Sequence, residues 1–394
     1  MNGTMKSFVI AASAGLFFLS QCPAQTKGAL VSVTNPARVV RRSETVEVPL
    51  RDLIPLLGEI AGGDIVVTGN GAPILSQVTE GELLFQSDFA PLERKEFTVR
   101  RESTGVASGA PDGAPHFTTF VDGRYVLPRE DYAWENDRIA FRMYGPALAA
   151  EVNNGIDVWT KRVRSLIVAK WYKEAEGAPA GQDPYHHDRG EGADFFDVGR
   201  SLGAGGCALW HEGRIHQPGV FSGWKTLANG PLRTEFELTY HGVAVGGRTI
   251  TERKRISLDA GENLNRVRVT YDAPGPGHEV LVACGLVKRA RTLPSSDTSR
   301  CWMGLWGPTN SDPVNGSLGT GVVFPPSAFM QFTEDSSQYL VIGRGVTGEP
   351  LTYYAGAGWT RSGDFASGKE WNSYLDRCAV RIAAPLRVAC APLE

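Results

Sequence analysis

The chain lacks the features that mark nucleic-acid binders, nucleotide enzymes and helical membrane proteins. It has no basic excess: 40 Lys and Arg stand against 43 Asp and Glu, a formal net charge of −3. Neutralising a phosphate backbone needs clustered cations, and no Lys/Arg run supplies them. No G-x-x-x-x-G-K-[ST] loop occurs, and Gly203-Ala204-Gly205-Gly206 lacks the following acid and helix of a dinucleotide site. Nucleotide cofactors are therefore not expected. A G-x-S-x-G elbow for a serine nucleophile is missing, as is a C-x-x-C for zinc or redox chemistry. No apolar run approaches the ~20 residues that a bilayer core demands. Histidine is scarce, 7 of 394 residues, so two in succession carry information. Glycine and proline are plentiful instead, at 46 and 24, with 42% hydrophobic residues. That mixture suits many strands joined by turns around a large core, an all-β chain.

The first residues read as a processing signal. Lys6 precedes an apolar run over residues 8–19, and Cys22-Pro23-Ala24 supplies small residues at a cleavage site. A positive start, a short apolar core and small residues describe a secretory signal peptide over residues 1–24, so an exported, periplasmic or extracellular protein is expected. Leu19-Ser20-Gln21-Cys22 also has a Leu three before a Cys, but the bulk of Gln21 disfavours lipid anchoring at Cys22. Five cysteines remain beyond it. Cys378–Cys390 and Cys284–Cys301 are the near-sequence pairs, although spacing does not define connectivity.

Period-two alternation organises the rest. Thr45-Val46-Glu47-Val48-Pro49-Leu50, Asp64-Ile65-Val66-Val67-Thr68, Glu82-Leu83-Leu84-Phe85-Gln86 and Glu96-Phe97-Thr98-Val99-Arg100 predict four strands. A brief helical turn is expected over residues 51–57. Together these make a small β-sandwich-like segment over residues 28–103, followed by a Gly/Ala/Ser/Pro-rich connection at 105–115 and a second unit over 116–394. In that second unit Arg138, Ala140 and Arg142 share one strand face, and Arg233, Glu235 and Glu237 another. Arg253, Arg255, Arg266 and Arg268 repeat the device against Ile and Val. Such strands have either a solvated outer face or the polar concave face of a sheet that holds a polar ligand. Residues 157–171 are the one long helix-like stretch, and they are too β-branched for a clear helix.

Two aromatic-rich polar stretches, residues 120–138 and 183–196, suit sugar recognition. Ring faces stack on C–H patches while carboxylates and guanidinium groups bind hydroxyls and uronic carboxylates. Trp134, Glu135, Asn136 and Arg138 lie in the first, and Tyr185, His186, His187, Arg189 and Glu191 in the second. Imidazoles exchange protons near neutral pH, and a phenol can donate to a leaving oxygen. Contiguous loop residues point apart, so a catalytic transition metal is not expected; a structural Ca²⁺ on Asp188, Glu191 and Asp194 is chemically allowed. No other cofactor and no protein partner is indicated.

The runs Trp134-Glu135-Asn136-Asp137-Arg138-Ile139-Ala140-Phe141-Arg142-Met143-Tyr144-Gly145-Pro146, Gly155-Ile156-Asp157-Val158-Trp159, Gly230-Pro231-Leu232-Arg233 and Ile256-Ser257-Leu258-Asp259-Ala260-Gly261 resemble a family of secreted bacterial proteins. That family carries a domain-of-unknown-function label and accompanies polysaccharide-degrading systems, pectin-type ones included. The resemblance runs from about Ser43 to the C-terminus and implies a fold similar to the galactose-mutarotase-like β-supersandwich. Fold alone does not choose an activity. The leading expectation is a lyase that cleaves a uronic-acid-containing oligo- or polysaccharide by β-elimination. His187 or His186 would be the base and Tyr185 the acid, with Arg138 or Arg142 and Asn136 neutralising the carboxylate. Trp134, Glu135, Arg189, Glu191, Arg233 and Glu235 would bind substrate. A glycoside hydrolase using Glu135 and Glu191, a mutarotase or epimerase using His187 with Glu235 or Glu237, and a glycan-binding module stacking sugars on Trp134, Trp159, Trp171 and Trp210 are the alternatives.

Overall fold

A computed structural model describes residues 28–60, 65–101, 119–179, 182, 184–275 and 277–393. The signal segment, Cys22, Asp183 and the 105–115 connection lie outside them.

The alternating pattern forms strands where it predicts them. In the strand Gly28–Thr34, Ala29, Val31 and Val33 point inward. They meet Val46 and Val48 of Arg41–Pro49, Leu83 and Phe85 of Glu82–Phe89, and Phe97 and Val99 of Arg94–Arg101. The expected turn is a helix, Leu50–Leu57, whose Leu53 and Leu57 bury one face; Gly58, at φ 82, ends it. These strands form two sheets, of five and three strands, around one core. The five-stranded sheet is completed from the far end of the chain, because Arg387–Pro392 pairs antiparallel with Gly28–Thr34.

The larger part is an all-β sandwich. An eight-stranded antiparallel sheet runs in the order Gly223–Asn229, Arg233–Val245, Arg248–Asp259, Leu264–Asp272, Pro350–Trp359, Ser317–Val323, Trp302–Pro308 and Leu293–Asp297. Two five-stranded sheets accompany it, one centred on Glu279–Val287 and one on Ile139–Met143. Phe236, Leu238, Ile256, Val267 and Tyr353 on the inner face of the large sheet pack in one core with Trp134, Phe141, Val282 and Val341.

Two expectations need correction. Residues 157–171 split into a buried strand, Asp157–Lys161, and the start of a helix, Val168–Glu176. Among the described residues the longest helix is Gly368–Ala383, which the two-residue alternation did not predict. Its Trp371, Leu375, Cys378 and Ala379 recur at helical spacing and bury one stripe, and Ser367 accepts the Glu370 N–H at its start. Neither near-sequence cysteine pair is bridged: Cys207, Cys284, Cys301 and Cys378 are buried free thiols and Cys390 a half-buried one. Cys378 lies on the buried stripe of that helix and Cys390 by the first segment's core, while Cys284 lies opposite Cys207 on the neighbouring strand.

Candidate functional site

Trp134, Glu135, Asn136 and Arg142 fall on a sheet that includes the strands Asp131–Asn136, Ile139–Met143, Asp157–Lys161 and Gly192–Asp194, with Arg138, Tyr185, His186, His187, Arg189 and Glu191 on its turns and loops. Register places Arg142 opposite Asp157, and Trp159 opposite Asp194. The polar face they share is covered rather than open, because Trp171 and Tyr172 of the Val168–Glu176 helix and Tyr185 pack over it. Beneath them the Arg142 guanidinium binds Asp157 at 2.6 Å, Asp194 at 3.0 Å and the Tyr144 hydroxyl oxygen at 2.9 Å. Asp131 is 3.7 Å away and accepts from the Tyr172 hydroxyl. Burial pushes the Asp131 carboxyl up to about 6, and it pushes Asp194 well above the carboxylate range, reinforced by the charge of Asp157. Tyr185 is buried with its ring 4.8 Å from that of Trp159, whereas His186 is half-exposed with Nδ1 3.0 Å from the Asp194 carbonyl. Arg142, Tyr185 and His186 are thus brought together, but the Arg142 Nε and Nη2 are taken by Asp157, Asp194 and Tyr144, and its Nη1 faces Asp131 at 3.7 Å.

The remaining expected site residues do not converge on these three. Trp134 is fully buried and donates to Asn265, so neither ring face is open to a sugar. Trp159 and Trp171 are also buried. The Glu135 carboxylate, fully buried, takes the Lys161 ammonium at 2.6 Å and the Ile167 and Val168 N–H groups at the start of the Val168–Glu176 helix. That makes it a helix cap rather than a hydrolase carboxylate. Asn136 holds the Asp259 and Glu262 carbonyls, and Arg138 pairs with Asp364 at 2.7 Å. Glu191 is taken by Lys170 and the Trp171 indole, while His187 and Arg189 lie exposed. Among the described residues no group of three or more His, Cys, Asp or Glu has a metal-holding arrangement.

The other polar surface is the outer face of the eight-stranded sheet, and strand register orders it. Glu235 lies opposite Ser257, Ser257 opposite Arg266, and Arg266 opposite Tyr354. The next row is Glu237, Arg255, Arg268 and Thr352. The first segment docks over one end of this face. Gln77 bridges the Leu232 and Arg233 backbone, and the buried Arg233 guanidinium joins Glu47 at 2.6 Å, Glu82 at 3.2 Å and Asp259 at 2.7 Å. Arg233 is therefore part of the joint between the segments, not a free substrate ligand. Glu235 is held by Arg255 at 2.7 and 2.8 Å.

Between the docked segment, the sheet and the Gly368–Ala383 helix lies a cavity of about 260 Å³, lined by Glu47, Ser257, Asp259, Arg266, Tyr354 and Arg381 among others. Its donors are incompletely used. Arg266 gives Nη1 to Glu47 at 2.8 Å, but its buried Nη2 has no acceptor. Arg268, next on the same face and half-buried, makes no hydrogen bond or ion pair among the described residues, nor does the Tyr354 hydroxyl make a hydrogen bond. Burial and the neighbouring Arg266 charge lower the Arg268 pKa. Two carboxyls beside these cations are pushed apart. Burial raises Glu47, but Arg266 and Arg233 outweigh it and hold it below its usual range; burial and the Glu47 charge raise Glu82. Burial raises the Tyr354 phenol. The sequence signal for this site was the R-x-R alternation at 266–268. What it could not show was that the first segment would roof it.

Fold and site together define an all-β sandwich protein with a polar cleft, lined by arginines and carboxylates, between its first segment and the large sheet. The chain belongs to the family described as domain of unknown function DUF4861, whose model matches residues 33–388. It is 30% identical over 403 residues to uncharacterized protein P7 of Formosa agariphila, covering 96% of this chain and 97% of that protein. Among solved structures it is similar to a glycosyl hydrolase family 38 protein from Enterococcus faecalis, at TM-score 0.47 and 10% identity, and to an alpha-mannosidase from Enterococcus faecalis, at 0.43 and 9%. Those matches cover 94% and 93% of this chain but only 48% and 46% of the two structures, about half their length.

Proposed function

We propose that the protein is an exported carbohydrate-active enzyme that takes an acidic saccharide into the cleft beside Arg266 and Arg268 and cleaves it by β-elimination. The observation that carries this is the Arg266 guanidinium at the cavity, whose buried Nη2 has no acceptor, with Arg268 next to it on the same face of the sheet. A buried N–H without an acceptor is costly, and a carboxylate satisfies a guanidinium at two points in one plane. A uronate carboxylate held there has its negative charge stabilised as the C5 proton leaves. Glu82, which burial and the Glu47 charge make a stronger base than a free carboxylate, accepts that proton. The freed electron pair forms the C4–C5 double bond, the C4–O bond breaks, and the Tyr354 hydroxyl protonates the leaving oxygen. Tyr185, His186 and His187 give up their expected acid–base roles in this reading, because they belong to the Arg142 cluster and not to the cavity lining. Hydrolysis is the second reading, favoured by the opposed shifts of Glu47 and Glu82, the split that an acid and a base carboxylate need.

The test is incubation of the purified protein with pectic, ulvan-like, alginate and glucuronan oligosaccharides, following unsaturated-uronate absorbance and reducing ends. New absorbance that falls at least ~10-fold in Arg268→Ala and in Tyr354→Phe, with melting unchanged, supports elimination; loss of one charged hydrogen bond is worth about 1.5–3 kcal/mol. Reducing ends without absorbance select hydrolysis. Absence of binding to every acidic oligosaccharide overturns the reading.

A further inference from the structure

The polar face continues beyond the cavity. Register extends the row Glu237, Arg255, Arg268 and Thr352 by one more strand, because Lys225 of Gly223–Asn229 lies opposite Glu237. Lys225 is exposed and makes no ion pair or hydrogen bond among the described residues. It lines a second cavity of about 310 Å³, whose walls are residues 77–80 of the first segment and residues 225–230 of the sheet's edge strand and turn. Both cavities therefore sit against the same two walls, the docked first segment and the sheet. Between them the row is solvent-accessible: Glu237 and Arg255 are each about one-third exposed. Three strand spacings of roughly 4.8 Å separate Lys225 from Arg268, so two cations stand roughly 14 Å apart along one polar row. A row with Lys225 in the second cavity at one end and Arg268, beside Arg266 of the first cavity, at the other matches a ligand that repeats its negative charge along its length.

We infer that the groove formed by residues 77–80 and 225–230 is a second subsite of the same cleft, which binds a further acidic sugar of an oligouronate through Lys225. The inference rests on the proposal that the cleft beside Arg266 and Arg268 takes a uronate. Ala228 lies opposite Glu235, and its side chain faces the groove lining, so a larger residue there would fill the space without touching Arg266 or Arg268. Thr79 and Glu80 offer oxygens for sugar hydroxyls from the opposite wall.

Titration with galacturonate and its dimer, trimer and tetramer, and with the matching glucuronate series, tests it on the full chain. Wild type should bind the tetramer at least ~10-fold more tightly than the monomer, because linked contacts raise the effective concentration of the second one. Lys225→Ala and Ala228→Phe should keep monomer affinity within ~2-fold and lose most of the gain with length. If both variants keep that gain, the second subsite is overturned. If wild type binds the monomer but gains nothing with length, the subsite falls while the cleft reading stands. If no uronate of any length binds, both fall together.

Discussion

At the centre of the Arg142 cluster one guanidinium faces three carboxylates, and burial decides which can stay ionised. Asp131 is fully buried and one of its oxygens has no hydrogen-bond partner. Its folded pKa of about 6 lies above the usual value near 3.8. The folded state therefore holds this proton more tightly than the unfolded chain. Asp131 costs nothing below pH ~4, and its cost grows as pH rises to ~6 and stays above that. Asp131→Asn should thus gain stability relative to wild type as pH climbs from 4 to 7, by ~2 kcal/mol. Urea unfolding at several pH values reads the difference, and a pH-independent offset would contradict it. Alternation in the sequence placed Arg142 correctly on a polar face. It could not reveal that three aspartates, far apart in the chain, would surround its guanidinium.

Helices cover polar and glycine-lined faces of the sheets, and each cover rests on a few residues. Glu135 caps the Val168–Glu176 helix and neutralises the buried Lys161. Glu135→Ala leaves that ammonium unpaired and should cost ~3–5 kcal/mol, whereas Glu135→Leu combined with Lys161→Met should recover much of the loss. Chemical denaturation of the single and double variants tests this. The Gly368–Ala383 helix lies on a glycine floor: a Cβ at Gly321 would come within 2.7 Å of Leu375, and one at Gly319 within 2.8 Å of Trp371. Gly321→Val should destabilise by about 1–3 kcal/mol and shift the Trp371 fluorescence as the helix lifts. The helix was present in the sequence as a Trp371, Leu375, Cys378, Ala379 stripe. Polar residues around the stripe and the prevailing two-residue period of the chain concealed it.

The whole molecule is tied together at the chain's two ends. Arg387–Pro392 covers the edge of Gly28–Thr34 with six register pairs, Arg381 reaches Glu44 at 2.8 Å, and the Arg41 guanidinium holds the Ala384 carbonyl. Removal of residues 386–394 should uncover that edge, lower the melting temperature by several degrees, and produce concentration-dependent association in light scattering, since an unpaired strand is a template for another chain. The same joint shapes the cleft, because Glu47 and Glu82 come from the first segment while Arg233, Arg266 and Tyr354 come from the sheet.

The sequence by itself determined the all-β class, four of the first segment's strands and its short helix, and the polar face of the large sheet, because a two-residue period with turn residues between runs is a local property of the chain. It also placed Arg266 and Arg268 on one face, since residues two apart in a strand must share it. Only the tertiary structure decided which polar residues remain free. Trp134, Glu135, Asn136 and Arg233 have the side chains of a sugar site but are used up by Asn265, Lys161, the Asp259 and Glu262 carbonyls and the segment joint. Whether a charged group serves a ligand or the fold depends on partners 26 to more than 180 residues away, and no local pattern carries that information.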